Sequence, residues 1–377
     1  MTRNVITDSA HLATLIEQIE SADRVAVDTE ADSLHSYREK LCLLQISVPA
    51  PASAASSIDT GLCMAQGHEL PRAVCDFMVD PLASTNLEPL RRALEAKEIV
   101  LHGADYDLRM LRRGLNLVAK RIFDTLIAAR LLGIREFSLA ALVKRYFGLT
   151  LLKGSQKANW AQRPLPARMA EYAINDVHYL LPLAEKLETE LARCERRNWL
   201  QQSCQRAIEL AAVARTRNQD ELWRIRGSGV LRGRAAAVLR ALWQWREKEA
   251  EKTDRPPFHI LRNEDLLKAA AKFASGSIPD YRHFSFRRRE AFREAAQPVL
   301  QAPESEWPVS RRRSGTRPTT LTVQRAEELW RRRNKSAEEL GLEPSFIAAR
   351  STLEAIAADD TRAPALLVPW QRELLGV

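Results

Sequence analysis

Apolar and polar positions divide the chain into a first half of mixed strand-like and helix-like periods and a second half that is helical throughout. Leu12, Leu15, Ile16 and Ile19 recur at helical spacing, predicting a short amphipathic helix over 11–19. The apolar run Val25-Ala26-Val27 predicts a buried strand over 25–28, and LCLLQISV over 41–48 predicts its hairpin partner. A third strand is expected over 75–80 and a fourth over 99–102, with a helix over 87–94 between them. IFDTLIAARLL (122–132) starts as strand or turn and becomes helix, and another helix is expected over 137–147. A loop rich in Lys, Trp and Arg follows over 148–166, then a single long helix from about 167 to 193. Strands alternating with helices after an antiparallel meander define a mixed α/β sheet domain over 1–205. One stretch interrupts it: the Pro/Ala/Ser-rich residues at about 49–74 read as a surface insertion, in which Cys63 and His68 are too isolated to suggest a metal.

No strand pattern remains beyond residue 205. Two helical segments, 215–300 and 321–377, flank a Pro/Arg/Ser-rich linker over 301–320, and they resemble each other. A shift of 87 residues superposes Leu242-Trp243 on Leu329-Trp330, Arg246 on Arg333, Pro257 on Pro344, Ile260 on Ile347 and Leu266 on Leu353. The C-terminal half is therefore expected to be a tandem of one helical module.

Charge sharpens this division. Residues 1–200 carry 25 basic and 25 acidic side chains, whereas those from 201 onward carry 32 and 23, so the net +9 lies wholly in the second part. Such an asymmetry suggests a polyanion-binding annex on a neutral domain. A chain ending near Arg215 is accordingly expected to fold alone. No apolar run approaches the roughly 18 residues of a membrane span, and five scattered cysteines without a Cys-x-x-Cys pair read as reduced thiols of a cytoplasmic protein.

The candidate chemistry begins where the first strand ends. Asp28 and Glu30 are two apart on a strand and share a face, so two anions stand together at the edge of a core. Either both are solvated at the strand end or a divalent cation offsets their repulsion. After the fourth strand, the turn GADYD offers Asp105 and Asp107; the first is placed to cap a short helix, and the second lies one turn before Leu111 on the packing side. On the long helix, Asp176 falls inside the stripe formed by Met169, Ala173, Leu180 and Leu183, where an unpaired carboxylate is costly, and Tyr172 projects beside it four residues earlier.

VDTEAD, LHGADYDL and YAINDVHYLL together resemble the three motifs of the DEDD 3′–5′ exonucleases in their tyrosine form. FDTLIAARLLG and LKGSQKANWAQRPLPARMAEYA are similar to the ribonuclease D branch, and WREKEAEKTDRPPF resembles the HRDC module, with a fainter second copy behind it. The resemblance implies a ribonuclease H-like exonuclease domain over 1–205, HRDC over 215–300 and an HRDC-like module over 321–377. It implies that Asp28, Glu30, Asp107 and Asp176 hold two divalent ions, Mg²⁺ or Mn²⁺, and it selects Asp107 over Asp105. Asp28 would bridge the ions, Glu30 and Asp176 would complete the site on the nucleophile side, and Asp107 would serve the other. Tyr172 would position the attacking water, while Lys153, Trp160 and Arg163 would touch the 3′ nucleotide. The activity implied is 3′–5′ trimming of structured RNA such as tRNA precursors, releasing 5′-mononucleotides, by a monomer that needs no membrane. A DNA exonuclease of the same chemistry and an inactive nucleic-acid-binding protein are the competing readings.

Overall fold

The computed structural model describes residues 5–51, 73–83, 85–151, 154, 157–213, 218–281, 284–309 and 318–377, and the chain forms two compact units. The first comprises Met1–Asp32, Leu41–Val213 and Arg317–Val377; the second comprises Ser33–Lys40 and Ala214–Thr316. The insertion after Pro49 lies largely outside the described residues, as does Lys153.

Among the described residues, six strands build the sheet of the first unit: β1 (Val5–Ile6), β2 (Arg24–Ala31), β3 (Leu41–Pro49), β4 (Val74–Val79), β5 (Glu98–Leu101) and β6 (Arg121–Asp124), in the order β1-β4-β3-β2-β5-β6. β3 runs antiparallel to both of its neighbours, whereas β2, β5 and β6 are mutually parallel, as are β1 and β4. This is the mixed sheet expected from the alternating pattern. β3 is buried from Leu41 to Val48, which explains its almost continuous apolar run: it is central, and both of its faces are covered. β1 escapes prediction because two residues carry no period; its pairing with Met78 and Val79 of β4 makes it a strand.

The helices of this domain are α1 (Ser9–Ser21), α2 (Glu88–Glu95), α3 (Asp105–Leu115), α4 (Thr125–Leu131), α5 (Leu139–Phe147), α6 (Ala167–His178), α7 (Leu180–Arg193) and α8 (Arg197–Ala212). Caps set several of their starts. Asp8 accepts from the amides of Ala10 and His11 at the head of α1, and Ser138 accepts from Ala141 at the head of α5. The single long helix expected over 167–193 is two helices. Pro182 lacks an N–H for the carbonyl of His178, and its ring crowds that carbonyl, so the hydrogen-bond ladder breaks at Tyr179.

The second unit carries α9 (Gly233–Lys252), α10 (Pro257–Ile260), α11 (Asn263–Ala274) and α12 (Phe286–Gln301) around a core of Trp223, Leu242, Trp245, Phe284 and Phe292. Residues Ser33–Lys40 join it through Tyr37, whose amide donates to Asp254, and through ion pairs from Arg38 to Glu251 and Lys40 to Asp254.

The second helical module consists of α13 (Thr320–Leu340), α14 (Pro344–Ile347), α15 (Arg350–Ala358), α16 (Ala363–Leu366) and α17 (Pro369–Leu375). Its repeat relation to α9–α11 reaches individual hydrogen bonds. Buried Arg246 donates to the carbonyl of Leu261 at 3.2 Å, and buried Arg333 donates to that of Ala348 at 3.0 Å, each 15 residues further on. The two copies nevertheless differ in company. The second shares the core of the sheet domain: Trp370 stacks on Trp199 of α8 at 4.9 Å and 12°, and its indole N–H donates to Ser203. Arg196 bridges the carbonyls of Leu131 and Leu340. Contrary to the expected separation at about residue 205, part of the core of the sheet domain is supplied from beyond residue 317. Charge follows the same division: 201–316 hold 23 basic and 14 acidic residues, and 317–377 hold nine of each.

Candidate active site

β2 delivers Asp28 and Glu30 at its C-terminal end, and α6 crosses the same face of the sheet, bringing Asp176 to them. One carboxylate oxygen from each of the three lies within 4.8 Å of the others. Tyr172, one turn before Asp176, donates its hydroxyl to the Asp176 carboxylate. The face-sharing read from the Asp-x-Glu spacing and the stripe position of Asp176 thus meet in space, although the residues lie nearly 150 positions apart.

Asp107 is buried on the first turn of α3, whereas Asp105 is exposed and ion-paired to Arg109. The Asp107 carboxylate accepts a 2.5 Å hydrogen bond from the hydroxyl of Thr29, the residue between Asp28 and Glu30. It therefore stands beside the three-carboxylate cluster, close enough for its charge to act on Asp28, but is held by the opposite side of β2.

The turn presenting Asp107 is built by a residue that pattern reading passes over. Asp124, at the end of β6, accepts from the amides of Gly103 (2.9 Å) and Ala104 (2.8 Å), and also from Leu126 at the head of α4. One buried carboxylate thereby ties together the starts of α3 and α4. Gly103 has φ of +78°, a conformation other residues reach only with strain, so the sharp exit from β5 depends on it. The cap signal, Asp before Thr-Leu-Ile, is present in the sequence; that its second set of partners lies 20 residues upstream is not.

The electrostatics are those of an anion-rich site. Burial, followed by the charges of Asp107, Asp176 and Glu30, holds Asp28 well above the usual carboxylate range. Burial with Asp176 and Asp107 pushes Glu30 up to about 9. Burial raises Asp107 to about 7, opposed by its bond to Thr29, and raises Asp176 to about 6, opposed by Tyr172. A group whose folded pKa is raised stabilises the fold fully below its unfolded value and loses that contribution as pH climbs through the folded value. In EDTA the melting temperature is therefore expected to fall between about pH 5 and pH 9, and Mg²⁺ or Mn²⁺ should flatten the decline. A level profile in EDTA would mean that these carboxylates ionise together without cost.

Hard oxygen donors with no histidine or cysteine among them suit Mg²⁺ or Mn²⁺ better than zinc. The donor set fits the metal that the motifs imply.

Two of the residues expected at the 3′ nucleotide have other surroundings. Trp160 is fully buried with Met169, Ala173 and Met78, 6.1 Å from the Tyr172 ring, and has no surface to offer a base. Arg163 grips both oxygens of Asp80 (2.6 and 2.7 Å) and donates to the carbonyls of Cys42 and Trp160. Trp160 braces the wall behind Tyr172, which corrects its expected contact with the nucleotide, whereas Arg163 ties the loop to Asp80 and Cys42 and remains an exposed residue. Trp160 turns inward from an otherwise largely exposed loop, and only packing reveals it.

The fold and the carboxylate site define a class. The family model for the 3′–5′ exonuclease domain matches residues 4–192, and the chain belongs to that family; the HRDC model matches 235–275. Exonucleases of this family depend on divalent metal. Within the family the chain is similar to the ribonucleases D. It is 33% identical over 272 residues to ribonuclease D of Sphingobium indicum, covering 71% of this chain but only 63% of that relative's length. It is 27% identical to ribonuclease D of Xanthomonas oryzae, covering 97% of this chain and 95% of that one. The crystal structure of Escherichia coli RNase D, described as an exoribonuclease involved in structured RNA processing, superposes over 100% of this chain and 99% of its own with a TM-score of 0.67 at 21% identity, a likeness of fold.

Proposed function

We propose that the protein is a divalent-metal-dependent 3′–5′ exoribonuclease that trims the 3′ ends of structured RNA, tRNA precursors among them, and releases 5′-mononucleotides. The observation that carries this reading is the convergence of Asp28, Glu30 and Asp176 within 4.8 Å, with Tyr172 on Asp176 and Asp107 beside them. Asp28, Glu30 and Asp176 would hold one ion, with Asp28 shared and Asp107 completing a second position. Two such ions supply charge stabilisation for the attacking and leaving oxygens of phosphodiester hydrolysis. The chain's own contribution is positional. Thr29 fixes the Asp107 carboxylate, Asp124 fixes the turn beneath it, and the packing of Trp160 holds the Tyr172 ring with its hydroxyl over the cluster.

The basic second unit supplies the grip on RNA. Its positive excess favours phosphate contacts that are independent of sequence and sensitive to salt. Free thiols at Cys42, Cys75, Cys194 and Cys204 suit a cytoplasmic setting.

The reading is tested by digesting matched RNA and DNA strands, labelled at either end, with Mg²⁺ or Mn²⁺. A 5′-labelled RNA should shorten stepwise while a 3′-labelled one releases its label at once; preference for DNA would favour the competing reading, and no cleavage would defeat both. Tyr172→Phe is expected to slow hydrolysis on the order of 10²-fold, the scale of one lost positioning hydrogen bond, with metal affinity retained. An unchanged rate, with chemistry limiting, would leave Tyr172 a packing residue.

A further inference from the structure

Gln45 sits at the middle of β3, the central strand of the sheet, and is completely buried. In the antiparallel register it is directly opposite Asp28. Directly opposed residues on antiparallel strands project from the same face with Cβ atoms about 5 Å apart, so the Gln45 amide lies on the face that carries the carboxylate cluster and is roofed by α6. Its other strand neighbour on that face is Met78 of β4. Leu43 and Ser47 flank it along β3. Leu43 packs in the apolar layer under α6, and Ser47 donates to Asp76, which pairs with His178. Ser47, Asp76 and His178 on that side are thus engaged with one another. Both ends of the Gln45 amide lack a hydrogen-bond partner among the described residues.

Such a residue needs a reason. An amide buried without partners costs on the order of 1–3 kcal/mol, and a methionine or leucine would fill the space between Asp28 and Met78 without that cost. Its position opposite Asp28 supplies the reason, because a carboxylate that bears on a metal is normally oriented by a hydrogen bond from behind.

Resting on the metal-dependent reading above, we propose that Gln45 is a positioning residue for the metal site, its amide N–H donating to the Asp28 carboxylate, directly or through one water, when that carboxylate is ionised and holding metal. The hydrogen bond favours the ionised form of Asp28 and fixes which way its oxygens face, and it is drawn on most in the loaded site. Gln45 touches neither substrate nor reacting atoms; it acts through Asp28.

Gln45→Met separates this role from packing. The side chains are close in volume, so the full-length variant should fold, with a melting temperature in EDTA equal to or above that of the parent. The decisive reading is Mn²⁺ binding by titration calorimetry without RNA. The variant should bind about 10-fold more weakly, within the range for loss of a supporting hydrogen bond, and the Mn²⁺ concentration for half-maximal hydrolysis should rise in parallel while KM for RNA stays constant. Unchanged Mn²⁺ affinity with unchanged kcat overturns the proposal and makes Gln45 a tolerated core amide. If Gln45→Met does not fold, Gln45→Asn serves in the same titration: the amide is kept but its reach is shortened by one methylene, so weakening of Mn²⁺ binding is again expected and parental affinity again overturns the idea. Failure of the parent protein itself to bind Mn²⁺ would strike the metal-dependent reading first, and is distinguishable from a parent that binds and a variant that binds equally well.

Discussion

Replacing Asp28 with asparagine lowers the rate of RNA hydrolysis on the order of 10⁴-fold and, in EDTA, raises the melting temperature. The first effect follows from the place of Asp28 in one cluster with Glu30 and Asp176, where the charge of Asp107 acts on it as well. Asp28 is the carboxylate every other acid in the site acts on, so on the proposed function its loss would remove a shared ligand and not a peripheral one. Metal-assisted charge stabilisation contributes several kcal/mol to such a reaction, and each 1.4 kcal/mol is a factor of ten. The second effect has the opposite sign for the same reason. Without metal the neighbouring carboxylates repel, and burial adds to the cost of ionising them. An amide of the same shape removes one of the charges. The paired measurement is single-turnover hydrolysis of a short labelled RNA with Mg²⁺ and thermal unfolding in EDTA at about pH 8. Near-parental turnover in a pure, folded variant would end the carboxylate-site reading. A lowered melting temperature with abolished activity would show that Asp28 is a structural acid whose loss damages the fold.

Truncation at Val213 should be far more damaging than the neutral charge of the first 200 residues suggests. The core of the sheet domain continues into the second helical module: Leu329, Ile347, Leu353, Trp370 and Leu375 are buried in the same cluster as Leu183, Leu187 and Leu200. Removing 318–377 would uncover Trp199 and the outer face of α8, an exposed apolar patch that favours aggregation. The truncated chain is expected to be insoluble or to melt well below the parent. A gentler variant isolates the cause. Trp370→Ala, at a residue 1% exposed, should cost about 3–5 kcal/mol, read from the urea midpoint of the unit's unfolding transition. A truncated chain that is soluble, unfolds cooperatively and digests short RNA would show that the catalytic core closes without this module.

The two helical modules differ in charge although their local folds are alike. Arg246 and Arg333 occupy the same place in the same local fold, and the bends after α10 and α14 are alike, with φ of −160° at Leu261 and −159° at Ala348. Yet the positive excess belongs to 201–316, and the later copy is neutral. On the proposed function the first module would meet phosphate, while the second shares the core of the sheet domain.

What could be read from the chain alone was whatever depends on near neighbours. Strand runs and helical stripes, the face shared by Asp28 and Glu30, the burial of Asp107 and the turn relation of Tyr172 to Asp176 all follow from periods of two and 3.6 residues, which are local geometry. The 87-residue repeat is likewise a property of the sequence. Tertiary structure decided everything that depends on who faces whom. Packing alone turned Trp160 from a surface candidate into a wall, whereas Pro182 breaks the 167–193 helix by local geometry. Asp124 reads locally as a helix cap and becomes the anchor of the Asp107 turn only when β5 and β6 lie side by side. Gln45 reads as one polar interruption in a buried strand until the register sets it against Asp28. For Trp160, Asp124 and Gln45 the deciding term is desolvation of a polar or aromatic side chain by residues distant in sequence, and local periodicity carries no information about distant partners.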